Sequence, residues 1–191
     1  RIFMKILFID TETGGITEKS ALIQLSGIVQ IGKEVAEEFN FYVKPFPGSE
    51  VTDEALKIQG RTREEIEKYD SEEVVFRKFM KILNKHIDKY NKEDKFLVGG
   101  YNVRFDIDVI NRFLRRNGEK YLFSYIQATT LDPLQWIAAL QLLKKIPILK
   151  DNKLETWCNH FGIELKAHDS LEDIKATKAL TKKMMLLMRE K

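Results

Sequence analysis

The sequence predicts an α/β fold: one mixed five-stranded sheet, with three consecutive strands first, flanked by helices. Three observations lead there. Strand-like runs fill residues 4–44 with no helical interval, helical patterns dominate from residue 51 onward, and two more short apolar runs fall between those helices. Strands gathered first and then alternating with helices bury their apolar faces in one sheet covered by helices.

Residues 4–10 are a short apolar run ending in a charge, the pattern of a central strand. Residues 21–31 and 35–44 are rich in Ile, Val, Phe and Tyr and flank Gly32-Lys33, so they read as a hairpin, which Pro45 and Pro47 end. Residues 51–69 read as two short helices broken at Gly60. Ser71 opens a long amphipathic helix whose Val75, Phe79, Ile82 and Leu83 recur at helical spacing. Residues 96–98 form a short strand before Gly99-Gly100. A helix over 104–116 closes at Asn117-Gly118. A last strand over 127–131, helices over 133–143 and around 154–158, and a final helix from Asp169 complete the chain. No internal repeat or linker divides it, so residues 1–191 are expected to form a single domain. Met4 reads as the natural start, and Arg1-Ile2-Phe3 as a remnant ahead of it.

The 32 basic and 29 acidic residues leave a net charge of +3, too balanced to mark a nucleic-acid binder by charge alone. Any phosphate-binding surface must come from local arrangement. The single cysteine, Cys158, cannot form an internal disulfide and reads as a core residue on a helix. No run has the apolar length of a membrane span and no signal peptide is visible, so the expectation is a soluble cytoplasmic protein with no membrane partner.

Three segments carry chemistry. Asp10-Thr11-Glu12 ends the first strand, and period two puts both carboxylates on one face. Side by side they repel, each raising the cost of ionising the other, and a divalent cation with a preference for oxygen relieves that cost. Asn102-Val103-Arg104-Phe105-Asp106 opens a helix, with Asp106 in its first turn; Asp108 lies two residues on, on a different side. His168-Asp169-Ser170-Leu171-Glu172-Asp173 opens the last helix, with an imidazole standing among acids that favour its taking a proton. Each segment alone also fits a solvated strand end or an ordinary helix start.

In this order the segments resemble the DnaQ-like exonuclease family in its DEDDh branch, over about residues 4–188. Phe8-Ile9-Asp10-Thr11-Glu12-Thr13 is similar to the first family motif, Asn102 with Phe105-Asp106 to the second, and His168 with Asp173 to the third. Glu54-Ala55-Leu56-Lys57-Ile58-Gln59-Gly60 resembles the connector after the third strand. The chain departs from the pattern at Gly14, where a second threonine is common, at Gln59, where histidine is frequent, and at Tyr101, where a histidine often stands.

The resemblance implies an RNase H-like fold and 3′→5′ hydrolysis of single-stranded DNA, in proofreading or repair. It implies two Mg²⁺ or Mn²⁺ ions, with Asp10, Glu12, Asp106 and Asp173 as metal ligands and His168 as general base. Thr13, Gly14, Ile23, Glu54, Gln59, Asn102 and Phe105 are expected at the substrate, the glycines by bringing backbone N–H groups close to the terminal nucleotide. Lys144, Lys145, Lys150 and Lys153 form a basic loop that either guides the phosphate backbone or is merely solvated. Two alternatives stay open: an RNA 3′ exonuclease of the same family, and a non-catalytic nucleic-acid-binding subunit of a replication complex. A DNA polymerase complex is a further expected partner, and the oligomeric state is not legible.

Overall fold

The computed structural model describes residues 4–165 and 169–189. Five strands form one sheet in the order β3-β2-β1-β4-β5. They are β1 Lys5–Thr13, β2 Leu22–Ile31, β3 Glu34–Tyr42, β4 Phe96–Gly99 and β5 Ile126–Leu131. β1, β2 and β3 are antiparallel neighbours, whereas β1–β4 and β4–β5 are parallel, which makes the sheet mixed as expected. The β2–β3 turn is tight because Gly32 takes φ +62°, a conformation other residues adopt at a cost.

The helices are α1 Asp53–Gln59, α2 Arg63–Ile66, α3 Glu72–His86, α4 Val103–Arg116, α5 Pro133–Leu142, α6 Leu154–Phe161 and α7 Ser170–Arg189. Short side chains start them. Thr52, Thr62 and Ser71 accept hydrogen bonds from the N–H groups of Ala55, Glu65 and Val74. Gly60 ends α1 and Gly162 ends α6 in the left-handed conformation. No helix among the described residues is long and apolar enough to cross a membrane.

The period of two along β1 sorts its residues between two cores. Leu7 and Ile9 face α3 and α4, packing with Val75, Phe79, Leu83, Ile107, Ile110 and Phe113. Phe8 faces α7 and packs with Ile28 and Ile174. Behind α7, Trp157, Ile137, Leu140, Leu180 and Met184 join α5, α6 and α7. Cys158 is fully buried there, and burial pushes its thiol up to about 11, so it is the inert core cysteine the helix pattern suggested. Both faces of β1 are therefore covered along its apolar middle, and its polar residues stand at the two ends, Lys5 at the first position and Asp10 to Thr13 at the last four.

That end differs from the sequence reading. The apolar run stops at Asp10, but the strand continues to Thr13, because Asp10 pairs with Ser26 and Glu12 with Gln24 across β2. Asp10 and Glu12 thus lie within regular pleated structure, on the α7 side of the sheet. Thr11 lies on the α4 side.

Candidate active site

Asp10 and Glu12 meet Asp173 of α7, and one carboxylate oxygen from each falls within 4.8 Å of the others. The pleat aims the first two toward α7. The third is aimed by the helix start: Asp169 accepts hydrogen bonds from the N–H groups of Leu171 and Glu172, which sets Asp173 one turn further on. All three are half-buried.

Asp106, in the first turn of α4, approaches from the opposite face and is 4% exposed. Its Oδ1 accepts hydrogen bonds from the Thr11 N–H at 2.9 Å and the Thr11 hydroxyl at 2.7 Å. The start of α4 is set by Asp132, which accepts from the N–H groups of Asn102 and Val103, each at 3.1 Å. Asn102 takes φ +56°, and its side chain makes no cap. Asp108 is exposed on another side of α4.

The electrostatics follow from this crowding. Burial, and then the charges of Asp106, Glu12, Asp173 and Asp169, hold the Asp10 carboxyl well above the usual range. Glu12 is pushed up to about 7 by burial and by Asp173, with Arg61 acting in the opposite direction. Burial also raises Asp106 to about 7, against the lowering effect of its Thr11 hydrogen bonds. Four acids gathered under these conditions repel, and a divalent cation in oxygen coordination removes the repulsion. The donor set of carboxylate oxygens therefore fits a hard cation such as Mg²⁺ or Mn²⁺.

The residues expected at the substrate are arranged unevenly. The Thr13 hydroxyl donates to the Gly15 carbonyl. The Gln59 amide donates to the Thr13 carbonyl at 2.8 Å, so the connector helix is tied to the end of β1. The Gln59 Oε1 is buried with no hydrogen-bond partner among the described residues. Phe105 packs partly against the main core, and Glu54 is exposed on α1. Ile23 is fully buried with Ala21, Leu56 and Ile66, and offers no surface.

The idea that Gly14 brings its N–H to a nucleotide gives way to another reason. That N–H donates to the Ala21 carbonyl at 2.8 Å. A Cβ at position 14 would sit 2.4 Å from the Glu50 carbonyl oxygen, so glycine is needed for close backbone packing. His168 lies outside the described residues. Two supports had no local signature: Asp132, whose role depends on a helix start 29 and 30 residues earlier, and Arg61, whose partners include Gln24, 37 residues away.

A family model described as Exonuclease matches residues 7–181. The chain belongs to the exonuclease family. The DnaQ-like resemblance read from the motifs is thereby borne out, and so is the RNase H-like sheet. No match was found among curated proteins. Among solved structures, this exonuclease chain is similar to E. coli exonuclease I in complex with a dT13 oligonucleotide, at 25% identity and a TM-score of 0.79, over 95% of this chain and 41% of that one. The zinc-ion-bound E. coli exonuclease I–single-stranded DNA complex gives 25% identity and a TM-score of 0.79, over 97% and 42%. A further exonuclease I structure gives 26% and 0.79. The chain spans about two-fifths of the length of these proteins.

Proposed function

We propose that the protein is a 3′→5′ exonuclease that removes 5′-mononucleotides from single-stranded DNA, in DNA replication or repair, using two divalent cations. The observation that carries this reading is the meeting of Asp10, Glu12 and Asp173 within 4.8 Å at the end of the central strand. Support comes from the exonuclease family of the chain and from the single-stranded DNA in complex with the similar E. coli exonuclease I.

Asp10, Glu12 and Asp173 would hold Mg²⁺ or Mn²⁺, with Asp106 acting from behind Thr11. The cations supply charge neutralisation of the scissile phosphate and of the leaving oxygen. The carboxylates would orient them and give up their raised-pKa protons as they bind. His168 takes the proton of the attacking water. Asn102 and Phe105, at the start of α4, Thr13, at the end of β1, and Gln59, at the end of α1, flank the terminal nucleotide. A non-catalytic binding subunit has no need of an intact carboxylate set, and this chain keeps all four acids.

The test uses two equal strands of one sequence, DNA and RNA, each labelled at the 3′ terminal nucleotide, with Mg²⁺ and with EDTA. The expected result is early release of labelled mononucleotide from the DNA, abolished by EDTA and restored by Mg²⁺ or Mn²⁺. Release of internal fragments first, or full activity in EDTA, contradicts the proposal. Faster loss of the RNA label makes it the RNA enzyme of the same family.

A further inference from the structure

Beside the carboxylates runs a line of polar side chains that the chemistry above does not use. The register places Ser26 across from Asp10 and Gln24 across from Glu12, and on the next strand Asn40 across from Ser26. Ser170, the first residue of α7, donates its hydroxyl to Ser26 at 2.5 Å, and Ser26 donates to Asn40 Oδ1 at 2.8 Å. Gln24 donates to the same Asn40 oxygen at 2.7 Å. The Gln24 carbonyl oxygen accepts from Arg61 Nη2, and Arg61 Nη1 donates to the Tyr69 hydroxyl at 2.7 Å. The guanidinium lies 4.9 Å from the Tyr42 ring centre and 5.7 Å from that of Tyr69. Gln24, Ser26 and Ser170 are all 0% exposed.

We propose that this line is a positioning network for the cation site, in which Arg61 and Ser170, at its two ends, fix where Asp173 stands relative to Asp10 and Glu12. The proposal rests on the cation-binding reading above.

Three features argue for it. On the α7 face Phe8 and Ile28 are buried apolar residues, and the fully buried hydroxyl and amide of β2, Ser26 and Gln24, stand at the level of Asp10 and Glu12. Buried polar groups cost stability unless fully paired, and apolar side chains would fill the same layer without that demand. Ser170 precedes Asp173 by three residues, about one helical turn, so a bond that holds Ser170 against β2 also holds Asp173 against β1. Finally, Arg61 is held by two hydrogen bonds and two rings. A long side chain so restrained makes a fixed end rather than a mobile counter-charge.

Calorimetric titration with Mn²⁺ alone tests this, on the wild type, Ser170→Ala, Arg61→Gln, Arg61→Lys and the Ser170→Ala/Arg61→Gln double variant, with melting temperatures in EDTA. Residues that orient metal ligands typically change affinity by about 10–100-fold. Each single variant is expected to weaken Mn²⁺ binding by that order. The double variant should lose less than the product of the two, because both cut one network. Arg61→Lys should weaken binding too, since it keeps the charge and loses the two-pronged geometry. The sign at Arg61 is decisive. A guanidinium acting only through its charge competes with the cation, so tighter binding in Arg61→Gln overturns the proposal. Unchanged affinity with a lowered melting temperature overturns it as plain packing, and a strictly multiplicative double variant overturns the network. A wild type that takes up no Mn²⁺ strikes the cation-binding reading itself, and shows before any variant is compared. Should Arg61→Gln fail to fold, Ser170→Ala and Arg61→Lys carry the decision.

Discussion

Thr11 and Asp106 are joined twice: the backbone N–H and the hydroxyl of Thr11 both donate to one oxygen of Asp106, at 2.9 and 2.7 Å. Asp106 is therefore part of the packing between β1 and α4 as well as a neighbour of the acid cluster. Replacing it with alanine leaves two buried donors without an acceptor, a loss of about 1–3 kcal/mol. Asp106→Ala is expected to melt lower in EDTA. Asp106→Asn, which keeps an oxygen in place and removes the charge, should melt within a few degrees of the wild type. Equal melting of the alanine variant and the wild type would show that the Thr11 bonds carry no stability.

Asp10 should behave in the opposite way. Burial and the surrounding acids both disfavour its charge. Asp10→Asn relieves that repulsion, so the metal-free variant should be more stable while being inactive on DNA. For a chain of this size each kcal/mol gained moves the melting temperature by roughly 2–4 °C, and a rise of that order is expected in EDTA. Adding Mg²⁺ should stabilise the wild type and leave the variant unmoved. A large fall in melting temperature would instead make Asp10 a structural residue.

The same crowding sets the pH dependence of the metal-free protein. Glu12 and Asp106 lie at about 7, and Asp10 is raised as well, whereas unfolded carboxylates titrate near 4. Between those limits the native state binds more protons than the unfolded state. Stability contributed by the site is thus full below about pH 4 and is lost as pH rises toward 7. Melting in EDTA should fall from pH 5 to pH 8, and Glu12→Gln should flatten part of that slope. With Mg²⁺ present the trend should shrink, because the cation favours the ionised carboxylates and binds better as pH rises. A wild-type slope that Glu12→Gln leaves unchanged would place the dependence elsewhere.

What the sequence reveals and what it hides follow from the range of the forces involved. The Asp-Thr-Glu triplet, the Ser71 cap and the Gly60 stop act within a few residues, and their elements stand where local pattern puts them. The extension of β1 from Asp10 to Thr13 depends on pairing with β2, and polar residues 10–13 give no local strand signal of that length. Gly14 invites a functional reading because glycine permits close approach. The group that approaches is the Glu50 carbonyl, which no nearby residue announces. Arg61 follows Gly60 with no local pattern to mark it. Its rings and its Gln24 partner come from β2, β3 and the segment after α2, so only the folded chain shows that it is restrained.

His168 carries the last prediction. The chain has three histidines. His86 is held by Glu37 at 2.9 Å, and His160 is exposed at the end of α6, edge-on to Trp157. His168 lies outside the described residues, five positions before Asp173 in the sequence. As general base it would accept the proton of the attacking water, and His168→Ala should lower kcat by roughly 10²–10⁴. All four carboxylates remain, so Mn²⁺ affinity should be unchanged. The pH profile needs care, because Glu12 and Asp106 at about 7 titrate in the window of an imidazole. Measuring kcat at saturating Mg²⁺ separates them, since the bound cation has already displaced the carboxylate protons. Under that condition the wild-type rate should still rise with pH as the imidazole loses its proton, and the variant should lack that limb. A variant that keeps the same limb at saturating Mg²⁺ assigns the titration to the carboxylates and removes His168 from the role of base.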